Sequence, residues 1–447
     1  MKGIAIGLSN NSKEILKRLK KTEFVKDIYI AGSSKEDGKE NELIQVQKPR
    51  EILLKKWPKI DLIIFIGSIA ASIRIINPFL TSKDQDPGVI VIDNKCSKIV
   101  PLIGLHQSNT QNIACQIANL LGGEIIETNN SNDQSLLNLD AFGNQWGWKR
   151  SGKINDWSKL VIKQAKNEEI FCKQLSGNSL WKTSESAEII NQIDKKETEK
   201  PDSTFHVSIF ENHGTTWHPP VLWIGIGCER NTSKELIANS LNNLLESGNL
   251  SQQSIAGFAT IDIKKDEKGI LELSEEKNLP IKFFSKKDLS TIIVPNPSNV
   301  VQKEIGTPSV AEASCLLAAG EESKLLEEKR IFKNQSGAVT IAVAESKNQY
   351  NPTHGEIHII GSGPGDISFL TNNARKALSR CTVWIGYKMY LDLIKPLKRN
   401  DQVLIESKLT EEKERCSKAI KLAEEGIKVA LISSGESGFY GMAGLLL

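Results

Sequence analysis

Short apolar runs alternate with amphipathic segments along the first third of the chain. Runs typical of buried strands occupy 3–8, 27–31, 61–67, 88–93, 99–104 and 123–127. Between them, apolar residues recur at helical spacing in 11–21, 48–57, 69–79 and 109–121. This alternation favours a mainly parallel sheet with helices on its faces. We therefore predict an α/β domain over residues 1–140.

Residues 141–220 follow a different pattern, with few runs that indicate strands. The tryptophans of this region are Trp146, Trp148, Trp157, Trp181 and Trp217. The polar stretch 191–203 within it is typical of a connector. An α/β pattern returns over 221–345, and a second polar stretch, 346–354, precedes a last α/β unit at 355–447. The sequence thus predicts a multi-domain α/β protein with mainly parallel sheets.

Composition and charge argue against several classes of function. The net charge of +3 is too small and too dispersed for a nucleic-acid surface. The seven cysteines stand singly, which favours a reducing compartment and argues against a zinc or iron–sulfur site. His213 and His218 fit no strong metal-ligand spacing. With no signal-peptide pattern and no apolar run near the ~20 residues that span a bilayer, we expect a cytoplasmic protein without metal or membrane.

Two glycine-rich loops in the last unit carry the clearest functional signal, and each follows an apolar strand. The first loop reads Gly361-Ser362-Gly363-Pro364-Gly365-Asp366, and the second spans 434–441. Glycines let a backbone approach a ligand closely, and the helix behind such a loop offers free N–H groups. A dinucleotide fingerprint spaces its third glycine differently and needs an acidic residue after the second strand, which here ends in Ile385-Gly386-Tyr387. The pattern therefore argues against a dinucleotide site.

These loops, with the tract VWIGYKMYLDLI at 383–394, resemble the tetrapyrrole methylases, and more closely the precorrin-3B or cobalt-precorrin-3 C17-methyltransferases. The resemblance implies S-adenosylmethionine-dependent methylation of a precorrin at C17, coupled to ring contraction and lactone formation. It implies two methylase domains, with the donor bound between them. The chain supplies about the first, so we expect little methyltransferase activity from it alone. A homo-oligomer formed through the methylase part when that part is complete, and contacts with other corrin-pathway enzymes, are further expectations.

The same resemblance implies the residues of the methylase site. The first loop would face the tetrapyrrole, whose acetate and propionate groups suit bare N–H donors. The implied substrate contacts are Gly361, Gly363, Pro364, Gly365, Asp366, Tyr387 and Lys388. The implied donor contacts are Ser434, Gly435, Glu436, Gly438, Tyr440 and Gly441, although the family usually has Asp at the position of Glu436. Plain helix capping by Asp366 or Glu436, and packing of Tyr387 and Tyr390 at the sheet edge, stay open as alternatives.

The first 345 residues resemble the cobalt-precorrin-5A hydrolase family. The matching tracts are 64–106, GIGCERNTSKELI (225–237), 259–285, VPNPS (294–298) and GTPSVAEASCLLAAG (306–320). The resemblance implies opening of a macrocyclic lactone with release of acetaldehyde. His106 is the candidate acid–base residue, because an imidazole titrates near neutrality. Arg230 is a candidate clamp for a substrate carboxylate, whereas Cys228 has no evident base nearby and is not expected to be a nucleophile.

The hydrolase pattern has departures that keep a second function open. His106 is followed by Gln107-Ser108-Asn109, where the family has a glycine-rich tract, and a threonine-rich turn has become 127–130. These departures would weaken or abolish the hydrolase activity. His106 would then be a loop residue whose hydrogen bonds are satisfied within the protein. We interpret the chain as a bifunctional protein of cobalamin synthesis. The alternatives are a non-catalytic corrinoid carrier or scaffold, and an incomplete fragment of the bifunctional enzyme. A carrier would bind the macrocycle without consuming S-adenosylmethionine or releasing acetaldehyde.

Overall fold

The computed structural model describes residues 2–22, 24–32, 44–46, 48–81, 86–104, 110–126, 136–194, 201–211, 214–335 and 337–435. The predicted site residues His106, Glu436, Gly438, Tyr440 and Gly441 lie outside these ranges, as does His213. The chain divides into two compact units, residues 1–130 and 131–447.

The first unit is an α/β domain built on a seven-stranded sheet with the order β3-β2-β1-β4-β5-β6-β7. Its strands are β1 (Gly3–Gly7), β2 (Asp27–Ile30), β3 (Ile44–Val46), β4 (Leu62–Ile66), β5 (Gly88–Ile92), β6 (Lys98–Ile103) and β7 (Glu124–Ile125). Its helices are α1 (Lys13–Lys20), α2 (Pro49–Lys56), α3 (Ile69–Ile76) and α4 (Thr110–Leu121). Neighbouring strands are parallel except β5 and β6. The predicted strands and helices of this unit are confirmed, and β3 is an additional strand.

The tryptophan-rich region of the second unit forms a five-stranded sheet, although its sequence showed few strand patterns. The strands are β8 (Lys149–Ser151), β9 (Ile170–Gln174), β10 (Ile190–Gln192), β11 (Thr204–Val207) and β12 (Thr216–His218), in the order β10-β9-β11-β12-β8. Helices α5 (Phe142–Gln145) and α6 (Ile154–Ala165) accompany them. The strands have only three to five residues, too few for a clear period-two pattern. All five tryptophans of the region are buried.

The next sheet has the order β15-β14-β13-β17-β16. Its strands are β13 (Leu222–Cys228), β14 (Ile255–Ile261), β15 (Ile281–Phe284), β16 (Lys324–Asn334) and β17 (Gly337–Glu345). Its helices are α7 (Lys234–Ser247), α8 (Lys268–Lys277), α9 (Lys286–Ser290), α10 (Asn299–Glu304) and α11 (Ala311–Ala319). β13, β14 and β15 run parallel, while β16 and β17 form an antiparallel hairpin that pairs with β13.

The last sheet is parallel throughout, with the order β18-β21-β19-β20. Its strands are β18 (Glu356–Gly361), β19 (Val383–Tyr387), β20 (Val403–Ser407) and β21 (Lys428–Ser433), and its helices are α12 (Asn372–Arg380), α13 (Lys388–Ile394) and α14 (Glu412–Glu424). One face packs on α12 and α13. The other face shares one hydrophobic core with the tryptophan-rich sheet, so the two sheets support each other.

Gln349 joins these two sheets from within a stretch that the sequence predicted to be a polar linker. Its side chain is 2% exposed. The amide Nε2 donates to the carbonyl oxygens of Trp146 and Glu425, each at 2.7 Å, and Oε1 accepts from Trp148 Nε1 at 2.7 Å. A buried amide is stable when its hydrogen bonds are satisfied. Gln349 therefore forms a buried junction between the two sheets. The polar composition of the stretch around it does not indicate this burial.

Candidate functional site

The two glycine-rich loops meet at one edge of the last sheet. β18 and β21 are adjacent and parallel, so the loops that follow them leave from the same edge, where ligands bind in open α/β sheets. The Ser362 N–H donates to the Ser433 carbonyl at 2.9 Å, and the Gly363 N–H donates to the Gly435 carbonyl at 3.0 Å. The structure thus brings together the predicted tetrapyrrole loop and the start of the predicted donor loop.

The paired loops present bare backbone because their conformation suits glycine. Gly363, Gly365 and Gly435 have φ values of 67°, 113° and 57°, a region that side chains rarely adopt. A Cβ built on Gly435 would meet no atom of the described residues within 4 Å, and Ser434 and Gly435 are both exposed. Gly361 ends β18, and Pro364 is exposed between the two glycines. A ligand can therefore approach the main chain of both loops.

Exposed apolar side chains flank the first loop, and the sequence analysis did not identify them. Phe369 is 67% exposed, and its Cβ lies 4.0 Å from a Cβ built on Gly363. Leu393 is 38% exposed and lies 3.8 Å from a Cβ built on Gly365. Their apolar neighbours Leu370 and Ile394 are buried, so the sequence alone does not mark Phe369 and Leu393 as exposed. In the structure these two side chains form an apolar rim. Such a rim suits the face of a flat macrocycle.

Asp366 has the local role that the capping alternative describes. Its side chain accepts a hydrogen bond from the Ser368 N–H at 2.7 Å and caps the short helix Ile367–Phe369. Hydrogen bonding to Ser368 lowers the pKa of this carboxyl. Asp366 is exposed, so capping does not prevent a ligand contact.

Tyr387 and Lys388 lie at the end of β19, at the same edge of the sheet. Gly386 pairs with Ile432 on β21, so Tyr387 follows beside Ser433. The Tyr387 and Tyr390 rings meet edge to face with centroids 5.3 Å apart. Lys388 Nζ lies 3.5 Å from Glu406 Oε2, and both side chains are exposed. Tyr387 is therefore near the paired loops, and the Lys388 ammonium already has an acidic neighbour.

Two polar groups at this edge escaped the sequence analysis. Ser433 Oγ is buried and finds no hydrogen-bond partner within the described part of the chain. Arg415 is 5% exposed, and its Nη1 donates to Ser407 Oγ at 3.0 Å and to the Lys408 carbonyl at 2.8 Å. A serine at the end of a strand and one arginine in a charged helix carry no distinctive pattern. A buried hydroxyl without a partner is a natural ligand contact.

Arg230, the predicted carboxylate clamp, lies in the loop between β13 and α7 and is held by the protein itself. Its guanidinium donates to Asp266 Oδ1 at 2.5 Å and to the Ile263 carbonyl at 2.6 Å. Glu267 Oε2 lies 3.7 Å from the same guanidinium. The side chain remains about half exposed, so a further carboxylate can reach it. The neighbouring Cys228 thiol has its pKa raised to about 11 by burial, which disfavours the reactive thiolate.

The described part of the chain offers neither a metal centre nor a membrane-spanning helix. Within the described ranges, no group of three or more His, Cys, Asp or Glu residues could hold a metal ion. In the same part of the chain, no helix has the length and apolar character that crossing a bilayer requires.

Three family models match the chain in succession. Cobalamin synthesis G N-terminal matches residues 51–132, Cobalamin synthesis G C-terminus matches 222–344, and Tetrapyrrole (Corrin/Porphyrin) Methylases matches 356–447. The last model covers both glycine-rich loops and the rim. Tetrapyrrole methylases depend in general on S-adenosylmethionine.

Curated relatives fall into the same two groups. A cobalt-precorrin-5A hydrolase of Priestia megaterium is 27% identical over 365 residues, which are 76% of this chain and 93% of that protein. A cobalt-factor III methyltransferase of the same organism is 47% identical over 92 residues, 21% of this chain and 17% of that protein. A probable cobalt-factor III C(17)-methyltransferase of Salmonella typhimurium is 46% identical over 91 residues, 20% of this chain and 37% of that protein. The chain thus spans most of the hydrolase but well under half of either methyltransferase. The chain thus combines regions that match cobalamin synthesis G domains with a following region that matches a tetrapyrrole methylase domain.

Proposed function

We propose that this protein acts on corrinoid intermediates at two places. Its tetrapyrrole methylase domain binds a cobalt-precorrin and S-adenosylmethionine for methylation at C17, and its cobalamin synthesis G region opens the lactone of cobalt-precorrin-5A. The observation that carries the methylase part is the backbone pairing of Gly363 with Gly435. It joins the two loops into one ligand-facing strip at the carboxyl edge of a parallel sheet.

The tetrapyrrole side of the site uses main chain and apolar surface together. The ligand would carry several carboxylates, which suit the N–H groups of glycine-rich backbone. The loop Gly361–Asp366 supplies such backbone, and the exposed Phe369 and Leu393 offer an apolar rim beside it. Tyr387 lies at the same edge and can contribute an aromatic face. The chain's part in this step is to orient the macrocycle, since alignment supplies much of the rate in group transfer.

The donor side begins at the end of β21. The residues there fit S-adenosylmethionine, because the buried Ser433 hydroxyl has no hydrogen-bond partner among the described residues and Ser434 and Gly435 are exposed. Glu436, Gly438, Tyr440 and Gly441 complete the proposed donor contacts by sequence. When bound, S-adenosylmethionine supplies the methyl group. The residues of β21 and its loop hold it beside the macrocycle and need form no covalent bond to either ligand.

The hydrolase part rests on the extent of the similarity to a cobalt-precorrin-5A hydrolase, which the chain covers over 93% of its length. His106 is the proposed acid–base residue, and Arg230 the proposed clamp for a substrate carboxylate. Opening the lactone consumes one water and leads to release of acetaldehyde. The six cysteines whose side chains are described are free thiols, which fits our proposal of a cytoplasmic protein. Association into a homo-oligomer, and contacts with other corrin-pathway enzymes, belong to the same proposal.

Equilibrium binding to the intact chain tests the methylase part. The chain is titrated with S-adenosylmethionine and, separately, with cobalt-factor III, and each isotherm is then repeated with the other ligand saturating. Saturable binding of both ligands, with either one changing the affinity of the other, is expected from one shared site. Absence of cobalt-factor III binding to the folded chain contradicts the proposal.

A further inference from the structure

Ser151 and His218 form a hydrogen-bonded pair in the tryptophan-rich sheet, in a region between the matched domains. Ser151 ends β8 and His218 ends β12, and these two strands pair antiparallel. Ser151 Oγ lies 2.7 Å from His218 Nε2. The other imidazole nitrogen, Nδ1, lies 2.8 Å from the Ser208 carbonyl oxygen. The two residues are 67 positions apart in the sequence, so no local sequence pattern indicates this pair.

The partners of the imidazole determine which atom donates. A carbonyl oxygen only accepts, so His218 Nδ1 carries the proton that it donates to Ser208. Burial lowers the pKa of His218, so the ring is neutral near pH 7 and Nε2 has a free lone pair. The Ser151 hydroxyl must then donate to Nε2. This is the arrangement in which a histidine can take the proton of a serine nucleophile.

The chain around Ser151 has the form of a strand-to-helix turn. Gly152 follows with φ 97°, and a Cβ there would lie 2.7 Å from the Gly214 carbonyl oxygen. Helix α6 begins at Ile154, and the first N–H groups of a helix have no partner within it. These N–H groups can stabilise negative charge that develops close to Ser151. The Ser151 carbonyl accepts from Trp157 Nε1 at 2.7 Å, which fixes the turn.

Access and charge at this turn suit an anionic substrate. Ser151 is partly exposed, whereas His218 is buried behind it. Lys149 and Lys153 flank the serine and are exposed. The acidic groups near the pair are Asp156 in the first turn of α6 and Glu211, whose charge acts on His218. A corrinoid that carries several carboxylates can approach between the two lysines.

We propose that Ser151 is a nucleophile and His218 its general base, in a serine-hydrolase site that acts on an ester or lactone. This inference deepens the proposed hydrolase function and rests on it for the identity of the substrate. Ser151 Oγ bonds to the lactone carbonyl carbon while its proton passes to His218 Nε2. The carbonyl electron pair moves to oxygen near the start of α6. The carbon–oxygen ring bond then breaks, and the leaving alkoxide takes the proton from His218. Water hydrolyses the Ser151 ester by the same route, leaving a carboxylate and a hydroxyl.

A fluorophosphonate probe tests the pair without the natural substrate, because it phosphonylates activated serines. The intact chain is incubated with the probe, digested, and examined by mass spectrometry. We expect an adduct on Ser151, none at that position in Ser151→Ala, and labelling at least ~100-fold slower in His218→Gln. Ser203→Ala is the matched control, since Ser203 lies in the same region but accepts from Lys163. Circular dichroism checks the fold of each variant.

The outcomes distinguish this inference from the proposed function. A folded parent chain whose Ser151 stays unlabelled overturns the pair as a catalytic site. Acetaldehyde release from cobalt-precorrin-5A that is equal in Ser151→Ala and in the parent also overturns it, while leaving the hydrolase function standing. A labelled Ser151 in a chain that releases no acetaldehyde supports the nucleophile and removes the proposed substrate.

Discussion

The backbone N–H of Gly363 donates to the carbonyl oxygen of Gly435 at 3.0 Å, across 72 residues of sequence. This bond joins the two glycine-rich loops at the carboxyl edge of the last sheet. Both residues have positive φ, so both are positions where a side chain brings strain. The pair thus offers a direct way to perturb the proposed site while changing little else.

Gly363→Val is expected to weaken tetrapyrrole binding at least ~10-fold, because a β-branched residue at φ 67° costs about 1–2 kcal/mol and shifts the loop. The fold should survive, since a Cβ there meets its nearest neighbour only at 4.0 Å. Binding of S-adenosylmethionine should change much less, because Ser433–Gly435 supply the donor side. Titration of each ligand measures both effects.

The matched control for that substitution is Gly320→Val, at a glycine with φ 81° and no atom within 4 Å of an added Cβ. Its backbone, with φ 81° and ψ −161° at the C-terminal cap of α11, also suits glycine, and it lies outside the last sheet. Equal weakening of tetrapyrrole binding by both variants would indicate general destabilisation. Selective loss of donor binding in Gly363→Val would reverse the assignment of the two loops.

Gln349→Ala is expected to lower the free energy of unfolding by about 3 kcal/mol, because it leaves Trp148 Nε1 and two carbonyl oxygens buried without partners. The shift of the urea midpoint, followed by tryptophan fluorescence, measures it. Gln302→Ala is the control, since Gln302 is an exposed glutamine in α10. A Gln349 variant as stable as the control would show that the junction contributes little.

Glu267→Ala is expected to lower the free energy of unfolding by about 3–5 kcal/mol in the region of β13 and the loop that holds Arg230. Glu267 is 2% exposed, accepts from Lys264 Nζ at 3.1 Å, and accepts from the Asn231 N–H at 2.8 Å. Its loss leaves the buried Lys264 ammonium unpaired. Glu276→Ala removes an exposed partner of Lys234 and should have a much smaller effect. Thermal unfolding compares the two variants, and equal melting temperatures would refute the distinction.

Glu356 is expected to make stability fall in acid. The hydrogen bond with His358, supported by Lys428 and Arg380, lowers the pKa of Glu356 to about 2 from its ordinary value of 4.5. A carboxyl with a lowered folded-state pKa contributes stability that is full above pH 4.5 and is lost as the pH falls towards 2. Because the group is partly exposed, screening limits the contribution to about 1 kcal/mol. In Glu356→Gln, the midpoint of unfolding should depend less on pH between 4.5 and 2 than it does in the parent chain. An unchanged pH dependence of the midpoint would contradict this role of Glu356.

Sequence patterns predicted the elements of the first unit well because short apolar runs alternate there with segments of helical periodicity. They also indicated both glycine-rich loops, since glycine has few substitutes at positive φ. They did not indicate that Gly363 bonds to Gly435, that Gln349 is buried, or that Ser151 meets His218. Each of these depends on which strands become neighbours, and local periodicity does not specify the order of strands in a sheet. Phe369 and Ser433 were missed because an exposed phenylalanine and a buried serine acquire meaning only from their neighbours.

The most direct measurement of the central claim is acetaldehyde release from cobalt-precorrin-5A by the 447-residue chain. We predict protein-dependent release that approaches one acetaldehyde per substrate. Its loss in His106→Gln with corrinoid binding retained assigns the acid–base chemistry to His106, whereas its loss in Ser151→Ala assigns the chemistry to the Ser151–His218 pair. Tight corrinoid binding without any acetaldehyde would contradict an enzymatic role and favour a carrier.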